Sequence, residues 1–258
     1  PIAEPAQKLR FSADSTQIFA ANLQGGLVRR ALNGAILARV PEGPAPEYPM
    51  MLISAVPQMA LTADGVLVLA GSQLVQQADG FYKPQNWLDV ITETGSRRID
   101  LPSQLDRVMT LDVSADGKML AYSATQSDPY VAYLATLNLG DGTEIAAQTL
   151  DNSAEAQAKG MPRAMPALDR IGFGPGNALV LIGSEGSDIL TIDPASLTKQ
   201  ATFATPLAIA QSGTALLDGP RFFTSDGAGT VWVWNLAEAR LEAQVPLQDA
   251  SFGVEEQI

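Results

Sequence analysis

One short phrase recurs five times along the chain and decides the fold: FSAD at 11–14, LTADG at 61–65, VSADG at 113–117, FGPG at 173–176 and LLDG at 216–219. Each copy lies between two apolar runs, as in MALTADGVLVLAG at 59–71. Asp-Gly and Pro-Gly pairs accept the positive φ of a tight turn, and the flanking Val, Leu, Ile and Phe favour buried strands. Each copy therefore predicts a β-hairpin.

The spacing of these hairpins predicts a β-propeller. Successive turns lie 42 to 60 residues apart, measured between Asp14, Asp64, Asp116, Gly176 and Asp218. A four-stranded propeller blade takes about 40 to 50 residues. We expect one all-β domain over 1–258 with antiparallel four-stranded blades and almost no helix, in repeat units of roughly 6–45, 57–102, 107–150, 168–206 and 207–248. Five blades are visible, and six or seven are possible if the chain belongs to a longer protein.

The composition excludes several kinds of chemistry. The chain has no Cys and no His, so thiolate or imidazole metal sites and catalytic dyads or triads built on His cannot form. We therefore predict no catalytic residue, no metal and no cofactor. A net charge of -12 repels phosphate backbones, which argues against nucleic acid as a partner. No apolar run reaches the roughly 18 residues of a membrane-spanning helix.

The N-terminal stretch PIAEPAQKLR has neither the basic region nor the apolar region of a signal peptide. Removal of an initiator Met before Pro1 would give this beginning, and so would a start inside a longer protein. We expect a cytoplasmic location in preference to a periplasmic one.

The last unit resembles a known family. The segment LDGPRFFTSDGAGTVWVWNLAEARLEAQV at 217–245 is similar to one blade of the WD-repeat propellers, with VWVWNL where that family has its Trp-Asp dipeptide. Asn235 stands in place of the family Asp, and the Gly-His pair of the family cannot occur without His. The other units match only the looser pattern of bacterial WD-like propellers, so the resemblance implies an architecture for the whole chain.

The extra length of the chain is concentrated on one propeller face. With strands a to d counted outward from the axis, the d-to-a and b-to-c connections emerge on the same face. The long segments 41–58, 73–86 and 151–169 all belong to these connections, and 151–169 is where we expect a helical turn. Long loops gathered on one side of a rigid scaffold are typical of binding sites.

These long segments are unusually apolar. Candidate partner-binding residues within them, or at the adjoining strand starts, are Tyr48, Met50, Met51, Phe81, Tyr82, Trp87, Tyr130, Met161 and Met165. Exposed aromatic and Met side chains are common anchors of protein interfaces. Two alternatives stay open: the loops bury these groups among themselves, or they form a small-molecule pocket.

Other residues favour structural roles. Asp112 and Asp116 flank a corner near the axis, where they could line the central channel or cap the turn. Trp232 and Trp234 alternate with valines on one strand, which predicts packing between blades. The pairs Arg29-Arg30 and Arg97-Arg98 are expected at charged strand edges that discourage pairing with another chain.

These features favour a non-catalytic protein-interaction module or scaffold, as a subunit or domain of a larger assembly. The alternative is a propeller enzyme or small-ligand binder that uses carboxylates in the central channel, as lactonase-like propellers do. That alternative requires two or three Asp, Glu or Asn side chains converging at the axis. A third possibility is an accessory propeller of a longer signalling or effector protein.

Overall fold

The computed structural model describes residues 6, 8–22, 25–41, 58–78, 80–127, 130–150, 158, 168–183, 189–203, 216–218, 221–225, 230–238 and 240–246. Twenty strands in this part of the chain form five antiparallel sheets of four strands each, which we call blades 1 to 5. Within every blade each strand pairs with its neighbours in sequence, as expected for a propeller. The all-β fold class is therefore confirmed.

The strands of blades 1 to 3 have the following bounds: β1 (Lys8–Phe11), β2 (Gln17–Ala21), β3 (Leu27–Ala31), β4 (Ile36–Val40), β5 (Met59–Leu61), β6 (Leu67–Gln76), β7 (Tyr82–Thr92), β8 (Gly95–Asp100), β9 (Leu105–Val113), β10 (Met119–Ser127), β11 (Tyr130–Asn138) and β12 (Glu144–Leu150). Blades 4 and 5 consist of β13 (Leu168–Phe173), β14 (Leu179–Gly183), β15 (Ile189–Ile192), β16 (Lys199–Phe203), β17 (Leu216–Asp218), β18 (Arg221–Ser225), β19 (Thr230–Asn235) and β20 (Arg240–Pro246). A 3₁₀ turn at Pro175–Asn177 joins β13 to β14. Within the described residues, no helix has the length and apolar character needed to cross a membrane.

The core lies between successive blades. Because side chains alternate across a strand, each inner strand supplies apolar groups to two neighbours. In β14, Leu179 and Leu181 pack toward blade 3, whereas Val180 packs toward blade 5. Trp232 and Trp234 are both buried against Val180 and Ile189 of blade 4, which confirms their predicted role between blades.

The recurring turns share one hydrogen-bonding arrangement in blades 1 to 3, which we call the turn clasp. A Ser or Thr hydroxyl donates to the Asp two residues later and accepts the N–H that begins the next strand. The hydroxyl-to-carboxylate distance is 2.6 Å for Ser12 and Asp14 and 2.7 Å for Ser114 and Asp116, and Thr62 donates to Asp64 in the same way. The accepted N–H groups belong to Gln17, Val66 and Met119. Asp116 therefore caps its turn, as one of the two expectations had it.

The residue after the Asp has a positive φ in every clasp. Gly65 and Gly117 have φ values of 85° and 68°, and Ser15 takes 57° where the other two copies have Gly. Gly is the residue that adopts this region without a steric cost. The turns also touch one another, since the Asp64 carboxylate lies against Gly117 of the next blade.

Arg97 and Arg98 lie on β8, the edge strand of blade 2, as expected, whereas Arg29 and Arg30 lie on β3 inside the sheet of blade 1, which corrects the expectation of a charged edge there. Arg29 pairs with Glu93 of blade 2 at 2.8 Å. Arg97 donates to the backbone oxygen of Leu139 in blade 3, and Arg98 pairs with Asp89 of its own blade at 2.9 Å. Each contact reaches a neighbouring strand or turn because the guanidinium group extends well beyond its own backbone.

Candidate protein-binding site

Blade 2 carries a hairpin that extends beyond the rest of its sheet. Strands β6 and β7 have 10 and 11 residues, and their pairing continues from Leu67 opposite Ile91 to Gln76 opposite Tyr82. Strand β5 pairs with β6 only as far as Leu69, and β8 pairs with β7 only as far as Trp87. The outer part, residues 73–85, is a two-stranded ribbon that we call the arm.

The arm corrects the prediction that residues 73–86 form a loop. The turn at its tip is closed by bonds from the Gln77 N–H to the Phe81 oxygen and from the Gly80 N–H to the Gln77 oxygen. The second of these bonds matches the bond from Gly65 to Thr62 in the turn of blade 2. The sequence Ala78-Asp79-Gly80 repeats the phrase that marks the other hairpins, so the signal for this hairpin was present in the sequence and was missed.

The tip of the arm presents large apolar side chains to solvent. Phe81 is 72% exposed and Tyr82 is 62% exposed. Val75, which precedes the residue paired with Tyr82 on the facing strand, is also exposed. Alternation places Val75, Phe81 and Lys83 on one side of the ribbon, and Leu74, Tyr82 and Pro84 on the other. Both sides of the arm therefore offer apolar surface.

Trp87 forms the base of the arm, where it is 9% exposed and is not available as an anchor. Its indole N–H donates to Asp89 at 2.8 Å, and the Arg98 guanidinium lies 4.2 Å from the centre of its ring. Asp89 also accepts two bonds from Arg98, so the three side chains form one closed network. The expectation that Trp87 takes part in an exposed patch is wrong, because the ring packs over Gly71 of the opposite strand.

The polar base of the arm is incompletely hydrogen bonded. Ser72 lies opposite Asn86, whose side-chain NH₂ donates to the Leu105 backbone oxygen of blade 3 at 2.6 Å. Neither Ser72 Oγ nor Asn86 Oδ1 has a hydrogen-bond partner among the described residues. A buried acceptor left unpaired costs about 1–3 kcal/mol, which is unusual in a well-packed blade.

The remaining predicted residues divide into two groups. Tyr130 begins β11 opposite Ser127, at the b-to-c end of blade 3 and hence on the same propeller face as the arm; its backbone is described and its side chain is not. Tyr48, Met50, Met51, Met161 and Met165 lie outside the described residues. Within the segment 151–169, Ala158 is helical, in the place where we expected a helical turn.

Asp112 is a desolvated carboxylate on an inner strand of the propeller. Asp112 on the inner strand β9 accepts the Phe173 N–H of β13 at 2.9 Å, and Lys8 of β1 donates to the Met59 oxygen of β5 at 2.8 Å. Burial raises the pKa of Asp112, and the N–H groups of Phe173 and Val113, and after them the charge of Lys8, partly offset this rise. Burial lowers the pKa of Lys8, and attraction to Asp112 partly offsets this fall. These bonds join the inner strands of neighbouring blades.

A catalytic or metal-binding use of the channel would need more carboxylates. No three Asp or Glu side chains gather into a possible metal site in the part of the chain that is described. Carboxylates that bind a divalent ion supply several oxygens at once, whereas Asp112 uses one oxygen on a backbone N–H. What Asp112 does here is connect blade 3 to blade 4.

Comparison with solved structures defines the class of fold. The chain is similar to the β-propeller domain of Cps50 (Swd1) from Myceliophteria thermophila, with a TM-score of 0.53 over 95% of this chain and 87% of that domain. The two sequences are 12% identical, so the likeness shows the fold alone. It confirms the β-propeller architecture expected for the chain. No protein-family model matches the sequence, and a search of curated proteins found no match.

Proposed function

We propose that this propeller is a non-catalytic protein-interaction module and that the tip of the arm is its principal anchor. The observation that carries the proposal is the exposure of Phe81 and Tyr82 at the end of a hairpin that extends past its own sheet. Interface hot spots are enriched in large aromatic side chains, because these bury much area with few rotatable bonds. The blade interiors need neither residue.

The surroundings of the arm also support a protein partner. WD-repeat-like propellers typically mediate protein–protein interaction. Blade 3 presents the end of its own b-to-c hairpin, between Ser127 and Tyr130, on the same face as the arm. Stable protein interfaces cover roughly 800 Å² per side, so we expect a partner at the arm to contact this second blade as well.

The charge of the chain indicates which partners associate fastest. A net charge of -12 produces a field that attracts cationic surfaces and repels acidic ones. The arm itself contributes only Asp79 and Lys83 to this charge, so an apolar contact at the tip is not opposed by local charge. We propose a partner that combines a basic surface with an apolar docking segment.

The test is a quantitative pull-down from cells of the native host with the intact chain as bait. The bait variant Phe81→Ser/Tyr82→Ser removes both anchors. We expect it to retain the melting temperature of the wild type and to lose at least about tenfold in capture of the partner, since two hot-spot aromatics are removed.

A matched control is available on blade 1. Leu32 on the turn between β3 and β4 is 59% exposed and Leu37 in β4 is 48% exposed, and Leu32→Ser/Leu37→Ser removes a comparable apolar area away from the arm. Capture should be unchanged in this control. Equal capture by the arm variant and the wild type would contradict the proposal, and a large fall in melting temperature would show that the aromatic rings stabilise the fold.

A further inference from the structure

Among the residues that the structure describes, neither outer edge of the arm has a partner strand. On the β6 side, the last contact with β5 is the bond from the Ala70 N–H to the Gln58 oxygen. On the β7 side, the last contact is the bond from the Leu101 N–H to the Asn86 oxygen. Beyond these bonds, the described residues include no strand that pairs with the outer side of either strand.

The same two bonds define which backbone groups point outward. In an antiparallel pair, alternate residues direct both N–H and C=O toward the partner strand, and the residues between them direct both groups away. Ala70 and Asn86 point outward, and the β6–β7 register has no bulge. The outward groups of the arm therefore belong to Ser72, Leu74 and Gln76 on β6 and to Tyr82 and Pro84 on β7.

The two edges differ in their capacity to accept another strand. Pro84 has no N–H, so the β7 edge lacks a donor at its centre, which is a common protection against unwanted strand pairing. The β6 edge contains no proline and presents three N–H and three C=O groups in regular alternation. The Ser72 hydroxyl, which has no partner among the described residues, lies at the inner end of the same edge.

We propose that an extended segment of the partner protein binds as an added strand along the β6 edge, from Ser72 to Gln76. This inference rests on the proposed function and specifies its binding mode. Strand addition satisfies a ladder of alternating donors and acceptors, whereas a helix or a globular surface leaves most of them unpaired. Pairing along one edge also orients the segment so that its alternate side chains lie beside Leu74 and Tyr82 on one side and beside Val75 on the other.

The chemistry of the partner segment follows from the same surface. Its alternate residues are apolar, to match Leu74 and Tyr82, and it is flanked by basic residues because the chain carries a charge of -12. A second copy of this chain could offer the same edge about a twofold axis, yet it would bring another charge of -12 toward the first. Charge complementarity therefore favours a cationic partner over self-association.

The probe for the experiment is a phage-displayed library of random linear peptides, selected on the intact immobilised chain. A selected peptide is synthesised with a fluorophore and its dissociation constant is measured by anisotropy. Leu74→Pro removes the central outward N–H and leaves the inward ladder to β7 in place. We expect it to weaken binding at least about tenfold, through loss of one bond and the bulk of the ring at the edge.

Two controls separate the backbone from the side chain. Leu74→Ala shortens the side chain and retains the N–H, and it should change the dissociation constant by less than about threefold if main-chain bonds dominate. Pro84→Ala restores a donor on the opposite edge and should leave the dissociation constant at the β6 edge unchanged. Equal circular dichroism spectra for all variants verify that the blades are intact, and Gln76→Pro repeats the test nearer the tip if Leu74→Pro fails to fold.

Hydrogen exchange gives a readout that does not depend on a substitution. In the free chain, the amides of Leu74 and Gln76 should exchange faster than those of Gln73 and Val75, which face β7. The selected peptide should slow exchange at Leu74 and Gln76. Protection of these amides in the free chain at high concentration, together with a dimer in sedimentation, would identify a second copy as the occupant and overturn the inference.

The outcomes distinguish this inference from the proposed function. Binding that survives Leu74→Pro and is lost in Phe81→Ser/Tyr82→Ser refutes strand addition and leaves the arm tip as the anchor. Binding that survives both changes refutes both proposals. A library that yields no binder also counts against strand addition, because main-chain pairing makes few demands on peptide sequence.

Discussion

Two hairpin turns in blade 2 contain the same three residues but have different structural roles. The turn between β5 and β6 has Ala63-Asp64-Gly65, and the turn at the tip of the arm has Ala78-Asp79-Gly80. The first is preceded by Thr62, whose hydroxyl closes the turn clasp, and the second by Gln77, which has no hydroxyl. A Cβ at Gly65 would meet the Phe19 ring of blade 1, whereas a Cβ at Gly80 meets no described atom within 4 Å.

The comparison shows that Ala-Asp-Gly marks a hairpin turn, and that the residue before it differs between the packed turn and the exposed turn. A Ser or Thr before Ala-Asp fixes the turn by two side-chain bonds and occurs in blades 1 to 3 near the inner strands. Where the hydroxyl is missing, the same backbone turn ends an exposed ribbon. The clasped turns build the scaffold, and the arm provides the surface that we propose for binding.

The largest expected effect comes from comparing an aromatic residue buried between blades with an aromatic residue exposed on the arm. Trp234 is buried between blades 4 and 5 and stacks on Trp232 at 6.4 Å between ring centres. Trp234→Ala should lower the free energy of unfolding by about 4 kcal/mol, through lost burial and the cavity that remains. Phe81→Ser should change it by less than about 0.5 kcal/mol, since the ring is exposed. Urea denaturation measures both, and similar losses would show that the arm belongs to the core.

The glycines of the two turns sharpen the comparison. Gly65 and Gly80 have φ values of 85° and 84°, so Ala suffers the same backbone strain at either position, about 1–2 kcal/mol. A Cβ at Gly65 would also collide with the Phe19 ring of blade 1, whereas a Cβ at Gly80 meets nothing within 4 Å.

Gly65→Ala should therefore cost about 3 kcal/mol, because overpacking adds to the strain. Gly80→Ala should cost about 1 kcal/mol, and its effect should be confined to exchange of the arm amides. Thermal and chemical unfolding of the two variants provide the measurement. Equal costs would mean that blades 1 and 2 do not press against this turn.

Much of the fold could be predicted from the sequence because each hairpin carries its own local signal. The five recurring phrases all lie at the turn between the first two strands of a blade. The paired tryptophans were predicted to pack between blades because alternation alone separates the two sides of a strand.

The site could be predicted only in part. Phe81 and Tyr82 were identified as exposed aromatics, but the strands that support them were missed because Gln73, Gln76 and Pro84 are polar or break regular structure. Trp87 was assigned to the same patch because sequence distance says nothing about the Arg98 and Asp89 side chains that enclose it. Which edge of the arm is free depends on where β5 and β8 end, a property of the whole blade.

A smaller effect tests the turn clasp itself. Ser114→Ala removes both the bond to Asp116 and the bond from the Met119 N–H. We expect a loss of about 1 kcal/mol in the free energy of unfolding, the usual net contribution of such bonds, since Ser114 is buried while Asp116 is exposed to water. Gln77→Ala, at the equivalent position of the arm turn, should have almost no effect. A null result for Ser114→Ala would show that the positive φ of Gly117 suffices to form the turn.

The smallest expected effect is on the pH dependence of the free energy of unfolding. The Ser114 hydroxyl, and after it the Lys118 N–H, hold the pKa of Asp116 below its ordinary value of 3.8. A carboxyl whose pKa is lower in the folded chain stabilises the fold above its unfolded pKa, and this contribution is lost as the pH falls through the folded pKa. Asp116→Asn should therefore be less stable than the wild type near neutral pH, and the difference should shrink below about pH 4. The carboxyl is largely exposed, so solvent screening keeps the effect small.

Urea titrations at a series of pH values measure this difference in stability, with Ser114→Ala as the control that retains the carboxylate and removes its main donor. A difference that stays constant down to the acid limit would show that the clasp depends on the shape of the Asp side chain and not on its charge.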